Sequence, residues 1–276
     1  MIRERAPAKV NLVLQVGPRR ADGLHEICSL FASLDLADDL ELGASNDAND
    51  RVRCEGVEGP NLVESALRLF RERVDPNLPP LEVQIEKRIP VAGGLGGGSA
   101  DAAAALRAAN ELAGRPLDVP RLRELAAGVG ADVPSQVEPA HALVTGAGEH
   151  VERVPLPQMG PVLLPNPRGL STAEVYGETD RIGSTRDRLE PDRLRELAAG
   201  SLEDLAVALE NDLQPAALSL RPELQEAIDA LMEAGALGAG LSGSGPTAFG
   251  VFSGPAEAER AASGLEGAVA TRLRAS

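Results

Sequence analysis

Residues 90–105, PVAGGLGGGSADAAAA, constrain the fold of this chain more than any other segment. Five of the six residues 93–98 are glycine, and a run of alanines follows at once. Before the glycines, residues 81–89 alternate apolar and polar side chains, which is the period of a strand with one buried face. Alanine is the strongest helix former. The segment therefore predicts a strand, a turn with almost no side chains, and a helix that starts near Ser99 and runs to Leu112.

Two known phosphate-binding patterns can be tested against this turn. A dinucleotide-binding turn needs glycine at positions i, i+2 and i+5, but the pattern that starts at Gly94 and Gly96 reaches Ser99. A P-loop needs lysine directly after its second glycine, whereas Gly93 and Gly98 are followed by Ser99. The turn is therefore neither a dinucleotide-binding turn nor a P-loop. Because the dinucleotide-binding pattern is missing, an NAD-dependent dehydrogenase is excluded as well.

The physical chemistry of phosphate binding nevertheless fits the turn. Glycines have no Cβ, so backbone N–H groups can approach an oxyanion closely, and the free N–H groups of a helix start carry the positive end of its dipole. The alternative is a tight strand-to-helix connection with Ser99 as N-cap, for which one or two glycines suffice. Five glycines favour a phosphate site.

Composition narrows the classes of function. The 276 residues carry a net charge of −15, which argues against nucleic acid and against an anionic membrane surface as partners. No window has the ~18 uncharged apolar residues of a membrane span, and the N-terminus lacks the apolar stretch of a signal peptide. Two cysteines, Cys28 and Cys54, are too few for a disulfide scaffold. We expect a cytoplasmic protein with reduced thiols, and no protein partner is evident.

Lysine is rare in this chain. Lys9 and Lys87 are the only lysines among 27 basic residues, and the others are arginine. A lysine can be retained where a compact ammonium has a function that a guanidinium cannot perform. Chance is nevertheless sufficient to explain the presence of either lysine taken alone. Lys9 falls on the polar side of a predicted strand, residues 8–16, together with Asn11. We expect Lys87, just before the glycine turn, to be a solvated charge at the end of a strand.

Several segments resemble the motifs of the GHMP kinase superfamily, in the expected order. They are PAKVNLVL (residues 7–14), PVAGGLGGGSADAAAAL (90–106) and LSGSGPTAF (241–249). Further segments resemble the branch of that superfamily whose kinases phosphorylate 4-diphosphocytidyl-2-C-methyl-D-erythritol. They are RRADGLHEI (19–27), VGADVP (129–134) and STAEVYG (171–177). The resemblance covers nearly the whole chain.

The resemblance implies a fold and a reaction. The fold is α+β with two domains, the N-terminal one with a left-handed βαβ unit and the C-terminal one ferredoxin-like. Five prolines between residues 155 and 167 place the boundary, so we predict domains at 1–155 and 156–276. The reaction is ATP-dependent phosphorylation of the 2-hydroxyl of the cytidine-diphosphate-linked methylerythritol, in the non-mevalonate pathway to isoprenoids. Mg²⁺ is expected from the reaction and not from any ligand cluster in the sequence.

The resemblance assigns catalysis to Asp132 and Lys9. Asp132 is expected to take the proton of the attacking hydroxyl; without the resemblance, an Asp that caps the turn before Pro134 is the simpler interpretation. An ammonium at Lys9 keeps that carboxylate ionised and polarises the hydroxyl. Asn11 shares a strand face with Lys9, so its amide can bond the substrate diol, although it also fits a satisfied polar position at a strand edge.

The other site residues also follow from the motifs. His25 is expected to bond cytosine, and the ring of Tyr176 to stack on it, although a surface histidine and a core tyrosine are the simpler interpretations of each residue alone. The turn that holds the ATP phosphates, with Ser99 near their β and γ oxygens or near Mg²⁺, comprises Pro90, Gly93, Gly94, Leu95, Gly96, Gly97, Gly98, Ser99 and Ala100. A second glycine loop, which lines the phosphate end of the site, comprises Gly243, Ser244 and Gly245.

Two departures from the family pattern affect packing around the site. Leu24 stands where many relatives have tyrosine before His25, and Ser135 and Gln136 follow Asp132 where relatives usually continue with aromatic residues. Two alternative functions stay open, a kinase for another small alcohol of the homoserine or mevalonate type and an inactive relative that binds nucleotide. His25 favours a cytidine-containing substrate, and the presence of both catalytic residues and both glycine loops favours an active enzyme.

Overall fold

Runs of strands and runs of helices follow one another along the chain. The computed structural model describes residues 1–45, 47–56 and 61–275. In these residues the strands are β1 (Ile2–Arg19), β2 (His25–Ala44), β3 (Arg51–Cys54), β4 (Leu81–Glu86), β5 (Ala142–Gly146), β6 (His150–Arg153), β7 (Gly160–Leu164), β8 (Glu210–Asn211), β9 (Gly238–Leu241), β10 (Ala248–Phe252) and β11 (Val269–Ala270). The helices are α1 (Leu62–Arg73), α2 (Gly97–Leu112), α3 (Val119–Ala127), α4 (Val133–Gln136), α5 (Thr172–Ile182), α6 (Pro191–Ala199), α7 (Leu202–Val207), α8 (Gln214–Leu220), α9 (Leu224–Glu233) and α10 (Pro255–Ser263).

The chain divides into two compact units, each assembled from separate stretches of sequence. The first unit comprises Met1–Ala8, Leu36–Val91 and Gly96–Pro139. The second unit comprises Lys9–Asp35, Ala92–Leu95 and Ala140–Ser276. Strands β1 and β2 and the glycine turn each contribute to both units. The division into units therefore differs from the boundary between residues 155 and 156, which stays a prediction for the family's domains.

In the first unit, strands and helices enclose an alanine-rich core. Strand β4 alternates buried Leu81, Val83 and Ile85 with exposed polar residues, and it pairs antiparallel with the second half of β2 and parallel with β3. Helix α1 begins after Asn61, whose side chain accepts a hydrogen bond from the N–H group of Val63 at 2.9 Å. Helix α2 packs against α1, and its small alanine side chains are buried in the same core. The glycine turn is thus followed by a helix that is fixed along most of its length.

In the second unit, an antiparallel sheet has the strand order β11-β7-β10-β9. Helices α9 and α10 pack on this sheet, and Ile228, Leu231 and Phe252 are part of its core. The first half of β2 pairs with β5, β5 pairs with β6, and β8 pairs parallel with β1. No helix among the described residues is long and apolar enough to cross a membrane.

Two predicted elements differ from the structure in informative ways. The strand at residues 8–16 lies within β1, but its predicted polar side is also buried, with Lys9 4% and Asn11 3% exposed. Helix α2 begins at Gly97 and not near Ser99, because the glycines themselves form its first turn. The first difference concerns polar residues and the second concerns glycines, and both groups of residues belong to segments that the sequence associates with function.

Candidate active site

The start of α2 offers backbone N–H groups to a ligand. Gly96 is the N-cap with φ of 70°, a left-handed conformation that glycine adopts without strain. Ala100 N–H donates to Gly96 C=O at 2.9 Å, so the helix ladder begins there. The N–H groups of Gly97, Gly98 and Ser99 precede the ladder and carry the positive end of the helix dipole. An oxyanion at this helix start is stabilised by both effects.

The other part of the turn, Ala92–Leu95, belongs to the second unit and is hydrogen-bonded to Ser242 and Thr247, which flank the second glycine loop. Ser242 Oγ donates to Gly94 C=O at 2.9 Å, and Thr247 N–H donates to Gly93 C=O at 3.3 Å. A Cβ on Gly94 would overlap the carbonyl oxygen of Ser242, and φ at this residue is +75°. Only glycine allows the two loops to approach this closely.

Lys9 and Asn11 are held against the same loops. Lys9 N–H donates to Leu95 C=O at 3.0 Å, which ties β1 to the turn. Lys9 Nζ donates to Asn11 Oδ1 at 2.7 Å and lies 4.7 Å from the ring centroid of Phe31, where the quadrupole of the ring attracts a cation. A Cβ on Gly243 would lie 3.7 Å from Lys9 Nζ. Within the second unit, the predicted Lys9, Asn11, turn and second glycine loop therefore lie together.

Two residues that the sequence did not single out hold the second glycine loop in place. Asn211 Nδ2 donates to the carbonyl oxygens of Leu241 at 2.8 Å and Gly243 at 2.7 Å. The hydroxyl groups of Ser244 and Thr172 are hydrogen-bonded at 2.9 Å. Asn211 and Thr172 lie far in sequence from the loop and outside its motif, so no local pattern connects them with it.

Asp132 lies in the first unit, directly before helix α4. It occupies the N-cap position of this helix, but its side chain makes no capping hydrogen bond, while Ser135 Oγ donates to its carbonyl oxygen at 2.7 Å. The interpretation of Asp132 as a simple helix cap is therefore not supported. Its partnership with Lys9 stays a prediction.

The two residues that depart from the family pattern after Asp132 lie in helix α4. Ser135 and Gln136 are both buried within α4. Arg107 on α2 donates from Nη1 to the carbonyl oxygen of Gln136 at 2.7 Å, and its guanidinium also pairs with Glu4 at 2.7 Å. Polar contacts therefore fix the helix that follows Asp132 to α2 and β1.

Lys87 is not the solvated charge that the sequence predicts. Its ammonium forms ion pairs with Asp38 and, at 2.8 Å, with Asp101, and its side chain is only 13% exposed. Burial lowers the pKa of Lys87, but the charges and hydrogen bonds of Asp101 and Asp38 outweigh burial and raise it above its usual value. A Cβ on Gly97 would lie 3.2 Å from Lys87 Nζ. The buried ion cluster thus lies directly under the first residue of α2.

The two carboxylates of this cluster differ in their hydrogen bonds. Asp38 Oδ1 accepts from the N–H groups of Arg88 at 2.6 Å and Ile89 at 2.8 Å, which fixes the segment that leads into the turn. Asp101 Oδ1 is buried and has no hydrogen-bond partner among the described residues. Burial, and then the charge of Asp38, raise the pKa of Asp101 to about 7 although Lys87 opposes the shift.

The rings of His25 and Tyr176 lie next to each other, and their predicted contacts with cytosine stay a prediction. Their ring centroids are 5.3 Å apart, with the rings tilted by 30°. His25 Nδ1 lies 3.0 Å from the carbonyl oxygen of Gly17, and His25 Nε2 lies 3.2 Å from Asp180 Oδ1. Both imidazole nitrogens have protein partners, so a nucleobase that bonds Nε2 must displace the carboxylate of Asp180, which is 41% exposed. Leu24, which precedes His25, is 50% exposed.

The described residues contain no group of three or more His, Cys, Asp or Glu side chains that could hold a metal ion. Proteins usually bind Mg²⁺ through one or two carboxylates together with substrate phosphates and water.

Comparison with known families identifies both parts of the chain. Residues 61–138 match the GHMP kinases N terminal domain, and residues 194–270 match the GHMP kinases C terminal family. The two matches lie on either side of the predicted boundary at residues 155 and 156. The predicted α+β, two-domain GHMP kinase fold is confirmed. GHMP kinases use ATP as co-substrate, generally with Mg²⁺.

Individual proteins are similar over most of the chain. The 4-diphosphocytidyl-2-C-methyl-D-erythritol kinase of Mycolicibacterium gilvum is 44% identical over 258 residues, which cover 88% of this chain and 79% of that protein. The kinase of the same name from Streptomyces coelicolor is 42% identical and covers 88% and 85% of the two chains. A crystal structure of 4-(cytidine 5'-diphospho)-2C-methyl-D-erythritol kinase matches with a TM-score of 0.81 and 34% identity over 100% of both chains. A mevalonate kinase of L. major, 16% identical with a TM-score of 0.76, shares the fold alone.

Proposed function

We propose a function from one premise, that this chain belongs to the 4-diphosphocytidyl-2-C-methyl-D-erythritol kinase family of the GHMP kinases. It transfers the γ-phosphoryl group of ATP to the 2-hydroxyl of 4-diphosphocytidyl-2-C-methyl-D-erythritol, a step of the non-mevalonate pathway. The observation that carries the proposal is the cluster in which Lys9 and Asn11 are bonded together and held against the two glycine loops.

Phosphoryl transfer places three demands on the residues of this site. The negative charge of the phosphates must be balanced, the hydroxyl must lie in line with the bond to be broken, and its proton must be accepted. The N–H groups of Gly97 to Ser99 bind phosphate oxygens, and the second glycine loop lines the same end of the site. Lys9 stabilises the negative charge on the transferred group through its ammonium.

The bond changes of the step balance without a further reactant. The substrate hydroxyl oxygen forms a bond to the γ-phosphorus, and the bond from that phosphorus to the β,γ-bridging oxygen breaks to release ADP. Asp132 accepts the hydroxyl proton as general base. Asn11 orients the diol through its amide. Mg²⁺ bound together with ATP would balance part of the phosphate charge.

The cytidine end of the substrate is recognised by His25 and Tyr176. The tilted pair of rings offers an aromatic surface on which a base can stack. Replacing His25 with alanine is expected to raise the KM for the cytidyl substrate more than the KM for ATP, measured by steady-state kinetics with each substrate varied in turn. The opposite ranking points to a different acceptor alcohol.

The test of the proposed function is a panel of acceptor alcohols. The protein is incubated with ATP, Mg²⁺ and, separately, the cytidyl-linked methylerythritol, homoserine and mevalonate, and the phosphorylated hydroxyl is located by ³¹P NMR and mass spectrometry. Phosphorylation of the first compound at its 2-hydroxyl is expected. Preference for homoserine or mevalonate identifies a kinase for another small alcohol, and nucleotide binding without turnover identifies an inactive relative. The cytoplasmic location remains a prediction.

A further inference from the structure

Three side chains on strands β1 and β2 form a chain of hydrogen bonds that ends at Lys9. Ser29 Oγ donates to Val13 C=O at 2.7 Å, and Asn11 Nδ2 donates to Ser29 Oγ at 2.9 Å. Lys9 Nζ then donates to Asn11 Oδ1 at 2.7 Å. Asn11 is 3% exposed and Ser29 is 0% exposed, so bulk water does not compete for these bonds.

Chemistry fixes the direction of every bond in this chain. A carbonyl oxygen only accepts, so the hydroxyl hydrogen of Ser29 points to Val13 and its oxygen accepts from Asn11. An ammonium only donates, so Asn11 must present its oxygen to Lys9 and its NH₂ group to Ser29. A flipped amide sets NH₂ against the ammonium and leaves Ser29 without its donor. One orientation of Asn11 therefore satisfies both neighbours.

We propose that Ser29 is a positioning residue for phosphoryl transfer, which holds the amide of Asn11 and, through it, the ammonium of Lys9. The inference rests on the proposed catalytic role of Lys9 and extends it by one residue. Without the hydroxyl of Ser29, the buried NH₂ group of Asn11 loses its acceptor and the amide is free to rotate. The ammonium then loses its hydrogen bond to a fixed Asn11 Oδ1, and fewer enzyme molecules hold it in the reactive position.

Ser33 supplies a matched control on the same strand. Residues 29, 31 and 33 share one face of β2, because side chains alternate along a strand. Ser33 is 2% exposed, and its hydroxyl has no hydrogen-bond partner within the described part of the chain. Ser33→Ala therefore removes a buried hydroxyl that takes no part in the chain of bonds.

The test is a double-mutant cycle read as kcat and KM with the cytidyl-linked substrate. Ser29→Ala is expected to lower kcat about 5- to 20-fold and to leave the KM for ATP within about twofold, because it disturbs orientation and not nucleotide binding. Ser33→Ala is expected to have the kcat and the KM values of the wild type. In an Asn11→Ala background, Ser29→Ala is expected to cost nothing further, because Ser29 acts only through Asn11. Wild-type kcat in Ser29→Ala, or independent effects of the two substitutions, overturns the inference.

Two further variants keep the outcome interpretable. If circular dichroism shows that Ser29→Ala does not fold, Ser29→Cys carries the test with a weakly hydrogen-bonding group of similar size. Reduced kcat with unchanged KM then supports the inference, and wild-type kcat overturns it. Lys9→Met separates the role of Lys9 from that of Ser29. Full activity in Lys9→Met removes the proposed role of Lys9, whereas an inactive Lys9→Met beside a fully active Ser29→Ala removes only the role of Ser29.

Discussion

Lys9 is buried and Lys87 is partly buried, one against each part of the glycine turn, but their surroundings differ in kind. The amide oxygen of Asn11 and the ring of Phe31 orient the ammonium of Lys9. Two carboxylates, Asp38 and Asp101, neutralise the ammonium of Lys87. The comparison shows that two residues of the same rare type, lysine, can have different roles although both lie next to the glycine turn. We assign Lys9 to the chemistry and Lys87 to the support of the turn, and substitutions at and around the two lysines test that division.

The largest effect is expected from Lys9→Met, which removes the charge but keeps most of the side-chain length. Without an ammonium to stabilise the transferred phosphoryl group, kcat should fall by about 10³-fold. Steady-state kinetics measure this, and thermal unfolding checks that the fold is retained. A kcat within about tenfold of the wild type would remove Lys9 from the chemistry.

Lys87→Met should mainly affect stability. Removal of one partner from a buried ion cluster leaves the carboxylates of Asp38 and Asp101 unpaired, which costs about 3–5 kcal/mol in the free energy of unfolding. Urea unfolding measures the change. If stability is unchanged and kcat instead collapses as in Lys9→Met, the division of roles between the two lysines is wrong.

Asp132→Asn tests the base that we pair with Lys9. The amide cannot accept the hydroxyl proton, so kcat should fall by at least ~100-fold while the affinity for ATP, measured by calorimetry, stays nearly unchanged. Asp118→Asn is the matched control, because Asp118 caps helix α3 through its side chain and asparagine is an equally good N-cap. Near-normal turnover in Asp132→Asn excludes Asp132 as the base.

The smallest effect is expected in the pH dependence of the free energy of unfolding, to which Asp101 contributes through its place in the cluster around Lys87. Its pKa is raised from 3.8 to about 7, so the folded state keeps a proton that the unfolded state releases. The contribution of Asp101 to stability is therefore complete below about pH 4 and is lost as pH rises towards and through about 7. Asp101→Asn should flatten this part of the profile of urea midpoints against pH. Glu111→Gln, at an exposed position on the same helix, should leave it unchanged. An unchanged slope in Asp101→Asn contradicts the assignment.

Local patterns in the sequence predicted the parts of the site that depend on neighbouring residues. The alternation before the turn predicted β4, and the glycines followed by alanines predicted the turn and α2. The placement of Lys9 and Asn11 on one face of a strand followed from its two-residue period, whereas the hydrogen bond between them is visible only in the structure. Motif resemblance added Asp132, His25 and Tyr176, which no local rule could assign to a shared site.

Long-range contacts explain what the sequence did not predict. The burial of Lys87 depends on Asp38 and Asp101, which come from a different strand and from α2. Ser29 enters the chain of bonds to Lys9 because β2 lies beside β1 in the sheet. A single sequence shows that such residues are polar, but it does not show which polar groups contact one another. A prediction from the sequence therefore counts too few polar side chains as buried.

The most direct measurement is a crystal structure of the protein with Mg²⁺ and a non-hydrolysable ATP analogue. The account predicts phosphate oxygens within hydrogen-bond distance of the N–H groups of Gly97 to Ser99, with the terminal phosphate next to the ammonium of Lys9. A nucleotide bound away from the glycine turn, or a terminal phosphate out of reach of Lys9, would contradict it.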